Sequence, residues 1–176
     1  MRLLGLVLQT AVLALVAADT TMLGGQPTDS GPRFSDYRVA AAYRGPVARP
    51  RFRPGSDAWP DSDPRFRRQV AFDLAKGPNF AGAYVVVMTS CGTECSYVVV
   101  VDARTGEIHE DLPFRMVVVG PRDQYRGLVF GLTSRLLIVE GFVDGSVKPT
   151  RSYYEWSERS LRLIHAAPLR HRGPSR

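Results

Sequence analysis

Apolar residues recur every fourth position between Asp63 and Gly77: Phe66, Val70 and Leu74, with Ala71 beside them. That spacing predicts an amphipathic helix with one buried stripe, and Arg65, Arg67, Arg68, Asp73 and Lys76 fall mostly off it. Its ends are marked. Asp63 suits the N-cap, Pro64 the first helical position, and Gly77-Pro78 the stop.

Beyond Pro78 the pattern changes to short β-branched and aromatic runs. Eight strands are predicted: Tyr84–Thr89, Tyr97–Val101, Glu107–His109, Arg115–Val119, Leu128–Leu132, Leu136–Phe142, Arg151–Trp156 and Leu161–His165. Val85–Val87, Val98–Val101 and Val117–Val119 do not alternate with polar residues, which suits strands covered on both faces. The connectors 102–106, Asp144-Gly145 and 157–160 carry hairpin residues. The expected fold is therefore mostly β (α+β): an antiparallel meander forming a partial barrel or sandwich, with one N-terminal helix packed on it.

Upstream of the helix, Pro46, Pro50, Pro54 and Pro60 bar a helix or a central strand. Residues 34–59 are expected to wrap the domain in extended form, anchored by Phe34, Tyr37, Tyr43, Phe52 and Trp59. The chain opens with Met1-Arg2 and an apolar run to Val16, followed by Ala17-Ala18. A positive start, a short apolar core and small exit residues describe a secretory signal peptide over 1–18. A spanning helix needs about 20 apolar residues, more than this run supplies. Residues 19–33 read as a flexible leader, 34–167 as one β-rich domain, and 168–176 as a basic disordered tail.

Composition changes this picture little. The chain has 23 Lys+Arg against 17 Asp+Glu, a formal net charge of +6, and lysine occurs only at Lys76 and Lys148. The arginines are scattered along the sequence, and a nucleic-acid site needs them on one face. An export signal argues further against nucleic acid, and no second apolar span follows it. The expected location is periplasmic or secreted.

Cys91-Gly92-Thr93-Glu94-Cys95 separates the two strongest strands. Across a hairpin mouth, directly opposed residues lie about 4.5–5.5 Å apart, which a disulfide spans, and an oxidising compartment favours the bond. Closing so short a loop contributes roughly 2 kcal/mol. The exposed Gly92, Thr93 and Glu94 then form a candidate binding tip. A redox dithiol is disfavoured, because no helix N-terminus follows to lower a thiol pKa. A soft-metal (copper) carrier through Cys91 and Cys95, helped by Met88 and His109, is a further alternative.

Alternation along 107–111 puts Glu107, His109 and Asp111 on one side, a polar cluster able to gather a cation, though a solvated hairpin edge is the favoured reading. Asp57, Asp61 and Asp63 form a second acidic group that reads as the lead-in to the helix. His165 and His171 have no partner that spacing identifies. No nucleophile elbow is present. No catalytic residue, cofactor or metal is predicted.

Three stretches form one composite pattern: Gly77–Tyr84 (Gly-Pro-Asn-Phe-Ala-Gly-Ala-Tyr), Cys91–Cys95, and Val101–Gly106 (Val-Asp-Ala-Arg-Thr-Gly). It resembles a family of small exported bacterial proteins without assigned function. There, a Pro-Asn-Phe-Ala-Gly-His-Tyr run leads into a Trp-Gly-Cys-Gly-x-x-Cys hairpin, and a Ser-Arg-Leu-Leu strand (here Ser134–Leu137) follows. An Arg-x-Phe-Arg-like run corresponds to Pro64–Arg68. This chain departs at Ala83, where the family often has His, and at Thr89-Ser90, which replace Trp-Gly. The resemblance implies no activity, but it centres the fold on the hairpin from Asn79 to Asp102. Within that run, Asn79 is expected to bond its own backbone, Phe80 to fill the space under the helix, and Gly82 to allow close backbone approach. A functional account of the same run makes it the floor of a cleft between helix and hairpin tip.

The expectation is an exported envelope protein, a non-catalytic binding module whose partner is an envelope protein or cell-wall component. An envelope hydrolase using the carboxylate and His groups is the alternative.

Overall fold

In the computed structural model the described residues are 31–53, 61–121, 124–157 and 159–169. The signal-peptide and most leader positions, Asp57, Trp59, and the tail from 170 including His171 lie outside them. The helix, α1 (Pro64–Ala75), follows the capping pattern: the Arg65 amide donates to Asp63 Oδ1 at 2.7 Å, and Phe66, Val70 and Leu74 are buried.

All eight predicted strands form. They are β1 (Tyr84–Gly92), β2 (Cys95–Asp102), β3 (Ile108–His109), β4 (Met116–Val118), β5 (Gly127–Val129), β6 (Leu136–Val143), β7 (Thr150–Ser157) and β8 (Ser160–Pro168). They make one antiparallel sheet in the order β1-β2-β4-β6-β7-β8. The short strands share edges: β3 and β4 take successive parts of β2, while β4 and β5 take successive parts of β6. Gly141 lets β6 pass close to β4, because a Cβ there would lie 2.5 Å from the Val118 carbonyl oxygen. The fold is α+β, mostly β, and the sheet does not close.

Two cores lie on opposite faces of the β1–β2 hairpin. Val85, Val87, Tyr97, Val99 and Val101 face α1, packing on Phe66, Val70 and Leu74. Their neighbours Tyr84, Val86, Val98 and Val100 face the other half of the sheet, against Leu137, Val139, Tyr154 and Trp156. Non-alternating valine runs are the sequence cost of a hairpin with no wet side.

Residues 31–53 form a strap, held more by backbone than by aromatic anchors. The Val39 amide donates to the Thr133 carbonyl, Tyr43 to Gly82, Ala48 to Ala103, and Arg51 to Gly106, at 2.7–3.1 Å. Ser134 Oγ, buried between β5 and β6, donates to the Phe34 carbonyl and accepts from the Leu136 amide. Phe34, Tyr37 and Tyr43 are half-buried, and Phe52 meets Phe66 edge-on at 6.3 Å. Two glycines admit the strap: a Cβ at Gly106 would overlap the Arg49 carbonyl oxygen, and one at Gly82 would come within 2.8 Å of the Ala41 oxygen.

Two local expectations change. Asn79 bonds not its own backbone but both backbone groups of Val86, its Oδ1 accepting at 2.8 Å and its Nδ2 donating at 3.3 Å. Phe80 lies on the far side of the sheet from the helix, against Trp156 and Phe130. The tight turn at Ala81 (φ 45°) and Gly82 (φ 80°) swings it there.

Candidate functional site

A hollow of about 600 Å³ opens at the end of the β1–β2 hairpin far from its tip. Strap residues 41–43 and the turn Ala81–Ala83 bound one side, and the β2–β3 turn bounds the other. Trp156, Tyr84 and His109 line its base. Their rings contact one another, with centroids 5.0 Å (Tyr84–Trp156), 5.4 Å (His109–Trp156) and 6.3 Å (Tyr84–His109) apart.

The β2–β3 turn brings the first charged pair. Asp102 is buried, and Arg104 reaches back to it: its backbone amide donates to Oδ1 at 2.8 Å and its Nη2 to Oδ2 at 2.7 Å. Nη2 also donates to Tyr84 Oη at 3.0 Å. Burial alone would raise the Asp102 carboxyl, but the hydrogen bonds and charge of Arg104 outweigh it and hold the pKa below the ordinary value. The guanidinium is correspondingly raised, chiefly by its hydrogen bond to Asp102. This corner is a hydrogen-bonded wall of the cleft.

His109 departs from its expected place on a solvated edge. It is half-buried on β3 against Tyr84 and Trp156, and its Nε2 is buried without a hydrogen-bond partner among the described residues. Burial lowers its pKa, and Arg159 lowers it further against the opposing pull of Glu107 and Asp102. The neutral imidazole is therefore favoured over the imidazolium. Glu107 lines the same cleft, but Asp111 is exposed outside it. The predicted trio is thus divided: β3 is only two residues long, and the chain leaves the strand at Glu110.

The run Ala81–Ala83 does line a cleft, as the functional account of it requires, but one walled by the strap and the β2–β3 turn rather than by helix and tip. Sequence spacing missed Arg104, Arg135, Arg159, Asp102, Tyr84 and Trp156. Only the Asp-Ala-Arg-Thr-Gly turn carried a local signal, since an Asp at that position accepts from the amide two residues on.

At the other end of the hairpin, Cys91 and Cys95 form the predicted disulfide, with Cα atoms 5.3 Å apart. They are not directly opposed as expected. Gly92 pairs with Cys95, and Cys91 sits in a bulge between Ser90 and Gly92. Gly92 and Thr93 are exposed, while Glu94 is half-buried, its carbonyl accepting from the Val119 amide. A smaller hollow of about 370 Å³ lies beneath the tip, lined by Met88, Glu94 and Arg126 among others. With both sulfurs in the disulfide, neither Cys91 nor Cys95 presents a thiolate for copper. Among the described residues no group of three His, Cys, Asp or Glu is placed to hold a metal ion.

The acidic group before the helix is also divided. Asp63 caps α1, whereas Asp61 is buried with Oδ1 unpartnered among the described residues. Asp61 acts on Glu110, whose pKa is raised first by burial and then by that neighbouring charge. His165 lies on β8 beside the Tyr153 ring. Among the described residues no helix is long and apolar enough to cross a membrane. Comparison with family models, curated proteins and solved structures finds no match to this chain.

Proposed function

We propose that the protein is an exported bacterial envelope protein that acts as a non-catalytic binding module, with the cleft under the strap as its ligand seat. The observation that carries this reading is the convergence of charged, aromatic and backbone groups from five parts of the fold on one concave site. Such a site is the usual form of a small-molecule pocket, and its volume lies within the usual range of about 300–1,000 Å³. Membership of the exported family that the hairpin pattern resembles is part of the same proposal. The disulfide and the signal-peptide pattern of residues 1–18 support export.

Binding is favoured over covalent hydrolysis because the hydroxyls on the cleft are held in structural bonds. Tyr43 Oη donates to the Pro46 carbonyl, Tyr84 Oη accepts from Arg104, and Thr105 Oγ1 accepts from the Glu107 amide. Among the described residues His109 Nε2 has no hydroxyl partner, so it is not paired with a nucleophile there. The hairpin tip is the second reading, favoured by the exposure of Met88 (43 %) above the smaller hollow.

A thermal-shift panel of sugars, sugar acids, amino acids and phosphate against the purified, oxidised protein separates the two. A stabilising compound should lose its effect in Glu107→Gln or Arg159→Gln and keep it in Glu94→Gln. The reverse pattern moves the seat to the tip. Export is checked by mass spectrometry of the periplasmic fraction, where the chain should begin close to Asp19; retention in the cytoplasm refutes export, and an intact Met1 in the periplasmic fraction refutes cleavage.

A further inference from the structure

Three arginines reach the cleft from separate elements: Arg104 from the β2–β3 turn, Arg135 just before β6, and Arg159 from the β7–β8 turn. Their hydrogen bonds distinguish them. Arg104 spends Nε and Nη2 on Asp102 and Tyr84. Arg135 uses Nη1 on Glu155, a carboxylate that also accepts from Arg162 on its outer side. Arg159 has no ion-pair partner among the described residues. A guanidinium carries five donors in a fork that matches the two oxygens of a carboxylate, so Arg135 and Arg159 retain most of theirs.

Glu107 adds an opposite requirement. It lines the same cleft, has no ion-pair partner among the described residues, and acts on His109 in the sense contrary to Arg159. An acceptor-only carboxylate and an uncommitted guanidinium thus share one cleft with the His109 imidazole. A ligand seated there gains from an anionic group at the arginines and a hydrogen-bond donor at Glu107. A fully ionised phosphate places its second charge against Glu107, and a cationic ligand meets three guanidinium groups.

Resting on the reading of the cleft as a ligand seat, we propose that it binds a small hydroxy acid. The ligand carboxylate is held by Arg135 and Arg159, and its neighbouring hydroxyl group donates to Glu107.

Isothermal titration of the purified, oxidised full-length protein compares galacturonate with galactose and lactate with glycerol, with inorganic phosphate as a fifth ligand. At least one acid should bind about tenfold or more tightly than its neutral counterpart, as loss of a charge-assisted hydrogen bond implies. Arg135→Gln and Arg159→Gln should each weaken it by a similar factor. Arg162→Gln, an equal change of charge on the same Glu155 but outside the cleft, should leave it unchanged. A neutral counterpart binding as tightly as its acid overturns the acid assignment while leaving the cleft as the seat. So does a loss in Arg162→Gln equal to that in Arg159→Gln, or tightest binding by phosphate. If none of the five binds, the acid assignment falls, and the wider panel decides the seat separately.

Discussion

The β1–β2 hairpin has two ends that solve the same problem differently. At its tip the strands run out beyond both cores: burial along β1 falls from four buried residues at Tyr84–Val87 to an exposed and half-exposed run from Met88 to Gly92. A covalent bond between Cys91 and Cys95 holds that end together. At the other end there is no covalent brace. Trp156, Tyr84 and Phe80 pack in the sheet-side core, and the strap adds backbone hydrogen bonds across the opening. A disulfide restrains a short stretch of chain whatever its side chains are. Packing and hydrogen bonds require particular side chains in particular places, and this leaves charged groups held in fixed positions over a hollow. The cleft end is the better candidate for function for that reason.

The sharpest way to break this comparison is to remove the cleft floor. Trp156→Ala deletes an indole that is 1 % exposed, and truncations of this kind cost about 3–5 kcal/mol. Urea denaturation should show this loss, larger than that from any change at the tip. The double variant Cys91→Ser/Cys95→Ser should lose about 2 kcal/mol, since the bond closes so short a loop. A larger loss than Trp156→Ala would reverse the ranking of the two ends.

The charged wall of the cleft sets a smaller effect with a defined sign. Asp102 has a depressed folded-state pKa, so its contribution is present above the unfolded value of 3.8 and is lost as pH falls through the folded one. Asp102→Asn should cost about 1–2 kcal/mol at pH 7, since Arg104 keeps part of its bonding in solvent, and should flatten the acid limb of a stability–pH curve. His109 adds a second acid-sensitive step. Its folded pKa is also lowered, so stability is full above the unfolded value of 6.5 and declines as pH falls below it, a slope that His109→Gln should remove.

Glu110, outside the cleft lining and 3.8 Å from Arg53, has the opposite sign. Its folded pKa is raised, so its contribution is present below the unfolded value of 4.5 and is lost as pH rises through the folded one. Glu110→Gln should therefore stabilise slightly at pH 7, and thermal melts at pH 4 and 7 check it. The smallest change is expected at the tip, where Thr93→Ala, exposed and outside both cores, should stay within about 0.5 kcal/mol in the same melts.

Strand positions and the helix were readable because each depends on local signals. The period of four between Phe66 and Leu74 and the Asp63-Pro64 start set α1, and the turn residues between apolar runs set the hairpins. The uninterrupted valines of β1 and β2 announced a strand pair covered twice. Strand ends were less readable: β4 and β5 shrink to three residues each because they divide one edge of β6 between them, and no local pattern encodes that division.

The candidate site was hardly readable at all. Glu107 and His109 were singled out for their alternation, but Asp111, grouped with them, leaves the cleft once β3 ends. Arg104, Arg135 and Arg159 are scattered in sequence and meet only in the cleft. Taken alone, the chain determined its elements, its hairpin disulfide and the double covering of its central strands, because each follows from residues close together in sequence. Only the tertiary structure decided that the two ends of one hairpin differ, that His109 turns inward against Trp156, and that the strap crosses at Gly82 and Gly106. These depend on how distant strands pair and where the sheet bends. Groups more than twenty residues apart meet only when that pairing is complete.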